Sequence, residues 1–216
     1  MGLFSRRPKT PLWDYFASVT PEHVSSTLEK QSKTATSGEA FLSHAILAVT
    51  SQCTGQLLTG AACSKVIKSA KVHPDVVAFE ALAFSYYAIH EMHIPMQKDD
   101  YDEEDAEVIV DAYKIALGVW PRLISELTGW DVEDVWRRRY LFWFQRPNLR
   151  DASEALSGLF MSFDAAQMPM PTYGRTNLDL TLNVETMVAI QVWASTIPEG
   201  CANSLKLIVS EFGLAD

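Results

Sequence analysis

The sequence predicts an all-α fold, a single-domain bundle of about eight helices around a buried central helix at 75–94. The main observation is the stretch from Pro74 to Ile94, which is apolar on nearly every side of a helical wheel. That pattern is typical of a helix enclosed by other helices. In addition, helix start and stop signals recur along the chain. The alternation of strands and helices that indicates a parallel sheet is absent from the sequence.

Composition and length agree with one helical domain. A chain of 216 residues with 48% hydrophobic and 21% charged residues can enclose one substantial core. We therefore expect a flexible basic tail over 1–10 and a single helical domain over 11–216. The tail is not followed by the apolar segment of a secretory signal, and no uncharged apolar run reaches the roughly 18 residues of a membrane span. These features predict a cytoplasmic protein whose three cysteines are reduced.

The first two helices are predicted from their N-terminal signals. The residues over 12–16 form a short apolar turn of the kind that docks a chain end onto a bundle. Thr20 followed by Pro21 gives an N-cap and a proline at the first helical position, where its missing N–H costs nothing. A helix should therefore run from Pro21 to Lys33.

The next segment predicts two helices separated by a glycine. Thr36 and Glu39 have the spacing of a capping box, which should begin one helix, and Gly55 should end it. The small residues within 56–72 predict another helix that packs closely on a neighbour. The central helix follows, and Pro95 is expected to close it.

An acidic run opens the second half of the chain. Seven acidic residues lie within 99–107 and lead into the first turn of a helix, where the helix dipole favours them. Gly118 and Pro121 should kink or break this helix, and Gly129 should end it. Asp131 is placed to cap the next one.

The C-terminal third of the sequence predicts helices on both sides of a long loop. Core spacing indicates a helix over 151–166, whereas prolines and a glycine interrupt the pattern over 167–182. A loop of this length is either a binding lid or a plain surface connection. Asn183 should cap a following helix, and Pro198 should begin the last one.

The polar residues of the central helix are the candidates for chemistry. Glu80 lies in an apolar stretch, and a buried carboxylate must be paired, hydrogen-bonded or protonated. A pocket lined by Glu80, Tyr87 and His90, and covered by 167–182, would suit a helical-bundle metalloenzyme or a small-ligand sensor. The other interpretation is a core glutamate bonded to a tyrosine or an arginine.

The spacing for a metal site is incomplete. Only His90 and His93 have the i, i+3 spacing of helical ligands, although Glu80, Glu91 and Asp111 supply further carboxylates. The paired Glu-x-x-His motif of di-iron bundles and the HExxH motif are both absent. We therefore expect no metal and no other cofactor.

Two surface features predict protein binding. The acidic run suits a basic partner, and the segment 135–146 combines tryptophan, tyrosine and arginine, which are enriched at binding hot spots. The candidate contacts are Asp102, Glu103, Asp105, Trp136, Arg137, Tyr140 and Trp143. The other interpretation of this segment is that its aromatic residues pack in the core while its arginines extend around them.

Charge and motifs together favour binding over catalysis. A net charge of -9 makes nucleic acid an unsuitable partner, because binding it requires a basic surface. No nucleophile motif is present. We therefore expect a non-catalytic protein that binds another protein as an adaptor, specific chaperone or neutralising partner, and self-association into a homo-oligomer is left open.

Overall fold

The computed structural model describes residues 10–61, 73–97, 103–145 and 184–211. These ranges contain seven helices and no strand, which confirms the predicted all-α fold. The helices are α1 (Pro11–Ala17), α2 (Pro21–Thr34), α3 (Gly38–Thr59), α4 (Pro74–Gln97), α5 (Glu103–Thr128), α6 (Glu133–Phe144) and α7 (Val184–Glu211). Within the same ranges, no helix is long and apolar enough to cross a membrane.

Helix α4 is the buried centre of the bundle, as its apolar pattern predicts. Every residue over 77–89 is buried. Helices α1, α3, α6 and α7 all pack against α4, so each side of it meets another helix. A helix that is apolar all round can bury its whole surface only in such a position.

Helix α1 is held against the start of α4 by a hydrogen bond across the sequence. Thr10 precedes α1 but makes no capping hydrogen bond to it. Instead, the backbone N–H of Trp13 donates to Oδ1 of Asp75 at 2.8 Å. The buried carboxylate thus satisfies one of the free N–H groups at the N-terminus of α1, where the helix dipole also favours a negative charge.

Helix α2 begins as predicted, whereas α3 differs from its prediction at both ends. Thr20 caps α2 by accepting a hydrogen bond from the backbone of His23. The N-cap of α3 is Ser37 rather than Thr36. Gly55 does not end α3, because the helix continues to Thr59.

The reason for Gly55 is a close helix contact. A Cβ atom at this position would lie 2.4 Å from the carbonyl oxygen of Phe16 in α1. Glycine is therefore required by the approach of α1 rather than by a change in backbone direction.

Three prolines lie inside helices, although Pro95 was predicted to end a helix, Pro121 to kink or break one and Pro198 to begin one. Pro95 does not close α4, Pro121 does not break α5, and Pro198 does not begin a new helix but lies within α7. A proline removes one hydrogen bond from a helix, and packing on neighbouring helices can offset that loss. Pro121 and Pro198 are both buried in the bundle, which agrees with this explanation.

The turn between α5 and α6 follows the predicted glycine but not the predicted cap. Gly129 has φ of 74°, in the left-handed region, and its N–H donates to the carbonyl of Ser125 at 2.8 Å. This C-terminal turn confirms Gly129 as the end of α5. Val132, not Asp131, precedes α6, and it makes no side-chain cap.

The helix predicted over 151–166, the loop over 167–182 and most of the segment over 56–72 lie outside the described residues.

Candidate functional site

Helix α6 lies along α4 in the same direction and supplies the partners of its polar residues. Phe79 packs edge-on against Trp136 with ring centroids 5.8 Å apart. Further along both helices, Phe84 packs against Trp143 at 5.3 Å. Because the residue numbers rise together on the two helices, each turn of α4 faces a matching turn of α6.

Glu80 forms a buried ion pair with Arg139 of α6. Nη2 of Arg139 lies 2.8 Å from Oε1 of Glu80, and the two side chains are 10% and 1% exposed. The guanidinium carbon also lies 5.3 Å from the ring centre of Phe142, which adds a cation–π contact. The interpretation of Glu80 as a core glutamate bonded to an arginine thus describes the observed contact.

The environment of Glu80 disfavours its charged form. Burial raises the pKa of Glu80 to about 7, and the charge of Arg139 offsets only part of that effect. Within the described part of the chain, neither Oε1 nor Oε2 has a hydrogen-bond partner, although Oε1 lies in the ion pair with Arg139. A carboxyl group with this pKa can exchange a proton near neutral pH, but its burial keeps a substrate from contacting it in this conformation.

The two histidines at the end of α4 lie against aromatic rings. His93 is fully buried, and its Nδ1 shares a hydrogen bond with the hydroxyl of Tyr113 at 3.1 Å. Burial lowers the pKa of His93 to about 4, with further lowering from His90 and Lys206. The ring of His90 packs edge-on against Tyr113 at 4.8 Å, and burial lowers its pKa as well.

The residues of the proposed metal site do not converge. Asp111 is exposed and bonds to Lys114 at 2.7 Å on the surface of α5. Nδ1 of His90 lies 3.4 Å from a carboxylate oxygen of Glu91, while His93 is bonded to Tyr113. Among the described residues, no group of three or more His, Cys, Asp or Glu side chains could hold a metal ion.

The residues of the predicted pocket occupy two separate turns of α4. Tyr87 and His90 both contact Phe144, with ring centroids 5.2 and 4.8 Å away. Glu80 lies about two turns earlier, beside Arg139. The segment 167–182 that would cover a pocket lies outside the described residues.

The aromatic face of α6 points into the core. Trp136 and Trp143 are 3% and 0% exposed, so neither indole is available to a partner in this conformation. The indole N–H of Trp136 donates to the carbonyl of Leu117 at 3.2 Å. Tyr140 is half-buried and packs on Phe144 at 4.2 Å. This burial is what the core-packing interpretation of the segment predicts.

The opposite face of α6 is exposed and carries both positive charge and an apolar side chain. We define this outer face by Asp134, Arg137, Arg138, Leu141 and Gln145, all of which are exposed. Leu141 is 50% exposed, and Arg137 is paired with Asp134 at 3.2 Å on the surface. Leu141 was not among the predicted contact residues, although a helical wheel places it opposite Trp143, next to the two arginines.

A groove lies between four helices, away from Glu80. It encloses about 400 Å³ between α1, α2, α3 and α5, and its apolar lining includes Val24, Leu47 and Leu123. Two histidines, His23 and His44, also line it. Sequence reasoning missed this groove because its residues come from separate segments that share no motif.

The acidic run can be described only in part. Asp102 lies outside the described residues, and Glu103 and Asp105 fall in the first turn of α5 with side chains that are not described. Glu107 and Asp111, one turn apart on α5, are exposed.

Comparisons of the chain with protein-family models, with curated proteins and with solved structures found no match.

Proposed function

We propose that the protein is a non-catalytic helical binding protein that acts as an adaptor, specific chaperone or neutralising partner and contacts another protein through the outer face of α6. The observation that carries this proposal is the half-exposed Leu141 flanked by Arg137 and Arg138. An exposed apolar side chain on the same helix face as two arginines combines a hydrophobic anchor with donors for carboxylates.

The charge of the outer face selects an acidic partner surface. Arg137 and Arg138 are both exposed, and Asp134 offsets part of their charge through its contact with Arg137. Guanidinium groups bind carboxylates through paired hydrogen bonds, while Leu141 requires an apolar recess beside those carboxylates. The partner should therefore present acidic side chains around a shallow apolar pocket.

The inner face of α6 supports this role by holding the helix in place. Trp136 and Trp143 are packed against α4, and Arg139 is paired with Glu80. A surface on a fixed helix loses little conformational freedom when it binds, which favours affinity. The buried aromatic residues thus contribute to binding through position rather than contact.

Cross-linking from the outer face tests the proposal. A photoreactive residue replaces Leu141 in the native host, and the control carries it at Glu126, an exposed position on α5. A partner captured only from position 141 is purified, and its affinity is measured for the wild type, Leu141→Ser and Arg137→Glu/Arg138→Glu. We expect both variants to weaken binding by about tenfold or more.

A matched control comes from Ile115, an exposed apolar residue on another helix. Ile115→Ser should leave the affinity unchanged. Unchanged affinity in the two outer-face variants, or equal capture from both positions, would contradict the proposal. Capture of a second copy of the chain would replace a separate partner with self-association.

The groove favours a second candidate function, the binding of a small molecule. Its volume of about 400 Å³ lies within the roughly 300–1,000 Å³ that is typical of ligand pockets. Nδ1 of His23 donates to the carbonyl of Ser18, and Nδ1 of His44 donates to that of Ala40. Nε2 is then the ring nitrogen of each histidine that is left for a ligand, so the matching ligand is apolar and carries a hydroxyl or amino group.

A thermal-shift series tests this second candidate with defined probes. Small phenols and aromatic amines are added to the wild type and to Ala48→Phe, which fills the groove from α3. Binding in the groove should raise the melting temperature of the wild type alone. An equal rise in both proteins would show that the probes bind elsewhere.

A further inference from the structure

The exposed face of α5 carries acidic, apolar and basic side chains in order along the helix. We define the α5 stripe by five residues that lie along one line of the helix surface, because they are spaced by three or four positions. All of them are exposed: Glu107, Asp111, Ile115, Gly118 and Arg122. The groove is lined by other residues of α5, and the outer face of α6 belongs to a different helix. The α5 stripe is therefore a surface that neither proposed function uses.

The middle of the α5 stripe is apolar and open to solvent. Ile115 is 43% exposed, and Val110, beside the stripe, is exposed to the same extent. Gly118 follows Ile115 by about one turn, and a Cβ atom at this glycine would meet open space. A second helix can therefore approach this part of α5 closely. Apolar surface of this kind is stabilised when another apolar surface removes it from water.

The two ends of the α5 stripe carry opposite charges. Within the described part of the chain, neither Glu107 nor Arg122 forms an ion pair, whereas Asp111 pairs with Lys114 at 2.7 Å. Roughly 22 Å of helix separates Glu107 from Arg122, so these two charges cannot meet in one copy of the chain. The stripe thus has unpaired negative charge toward the start of α5 and unpaired positive charge toward its end.

We propose that the α5 stripe joins two copies of the chain, with the two α5 helices antiparallel around a two-fold axis near Ile115. In this arrangement Glu107 of each copy faces Arg122 of the other, and Ile115 lies against its counterpart. The two-fold axis repeats every contact, so both ends of the stripe are paired at once. A stripe that is acidic at one end and basic at the other is complementary to itself when it is reversed, which selects a second copy as the partner.

Other arrangements bring like charges together. Two parallel α5 helices would place Glu107 against Glu107 and Arg122 against Arg122, and both pairs repel. A basic partner of another kind would match Glu107 and Asp111 but would be repelled by Arg122. The antiparallel pair of copies avoids both conflicts.

Sedimentation of the full-length chain tests the proposal. The molar mass is measured at protein concentrations from about 1 to about 100 μM, where the wild type should form a dimer. Arg122→Glu should weaken the dimer by about tenfold or more, because the two-fold axis turns both ion pairs into repulsions. Arg138→Glu makes the same change of charge on the outer face of α6 and should leave the dimer intact.

A charge swap within one chain provides the decisive measurement. Glu107→Arg/Arg122→Glu should recover the wild-type dimer, since the reversed stripe is again complementary to itself, whereas damage to the fold would not be repaired by a second substitution. Ile115→Ser should weaken the dimer without changing any charge. A monomer at every concentration, or no recovery in the charge-swap variant, would overturn the proposal. Loss of the dimer in Arg138→Glu but not in Arg122→Glu would also overturn it, because self-association would then involve α6.

Discussion

Two buried groups on α4 should make opposite contributions to the pH dependence of folding. The folded pKa of Glu80 is about 7, above its ordinary value of 4.5, so the folded chain holds a proton that the unfolded chain releases between these values. The folded pKa of His93 is about 4, below its ordinary value of 6.5, so here the unfolded chain binds the extra proton. Stability from Glu80 is therefore lost as pH rises to about 7, whereas stability from His93 is lost as pH falls to about 4.

The two contributions are similar in size. The interval between about 7 and 4.5 for Glu80 corresponds to about 3 kcal/mol, and so does the interval between 6.5 and about 4 for His93. Between about pH 4.5 and 6.5 the two slopes oppose each other. In the wild type, the summed contribution of Glu80 and His93 to the free energy of unfolding should therefore change little with pH in this range, because two large effects cancel.

Single substitutions should reveal each slope. In Glu80→Gln the side-chain oxygen stays next to Arg139, and in His93→Asn it can still accept a hydrogen bond from the hydroxyl of Tyr113. Urea unfolding between about pH 4.5 and 7.5 gives the free energy of unfolding at each pH. Relative to the wild type, Glu80→Gln should gain about 3 kcal/mol of stability with rising pH, and His93→Asn should lose about as much.

The double variant and a control complete this experiment. Glu80→Gln/His93→Asn should keep nearly the wild-type profile over the same range, because the two opposing titrations are removed together. Glu126→Gln removes an exposed carboxylate from α5 and should leave the wild-type profile in place. If Glu80→Gln keeps the wild-type profile, the carboxyl group is not titrating in the folded chain, and the reasoning about its burial is refuted.

Three further outcomes can be checked by denaturant unfolding. Gly55→Ala should lose about 1–3 kcal/mol because its Cβ would meet the Phe16 carbonyl, whereas Gly118→Ala, with no atom within 4 Å of its Cβ, should gain about 0.5–1 kcal/mol. Equal effects at the two glycines would contradict the close-contact explanation. Trp143→Ala should lose about 3–5 kcal/mol because the indole is fully buried. Leu141→Ser should change the stability of the monomer by less than about 0.5 kcal/mol, and a large loss would mean that Leu141 is not on the surface.

The fold could be predicted from the sequence because the helical spacing of apolar residues can be recognised even where a glycine or proline lies inside a helix. The apolar stretch of α4 identified the central helix without any knowledge of its neighbours. Boundaries were predicted less well at Gly55, Pro95 and Pro198, where a residue that usually ends or begins a helix lies inside one. The cause at Gly55 is the approach of α1, a contact between distant segments that local sequence does not encode.

The candidate site could likewise be predicted only where a single stretch of sequence indicates it. Isolation of Glu80 in an apolar stretch was enough to expect a paired or protonated carboxyl, but its partner Arg139 required the alignment of α4 with α6. The aromatic and basic residues of α6 identified an amphipathic helix without showing which face packs inward. The groove depends on four helices, so no single stretch of sequence indicates it.

The aromatic residues of α6 explain how one face of the helix is selected for the surface. Neighbouring residues on a helix point about 100° apart, so rotating α6 by one residue would move Arg139 away from Glu80 and turn Arg138 toward the core. Arg138 would then take the place of Arg139, so the ion pair alone does not select one orientation. The same rotation would separate Trp143 from Phe84 and Trp136 from Phe79. Aromatic packing on the inner face thus requires the observed orientation, which leaves Leu141 with Arg137 and Arg138 exposed to solvent.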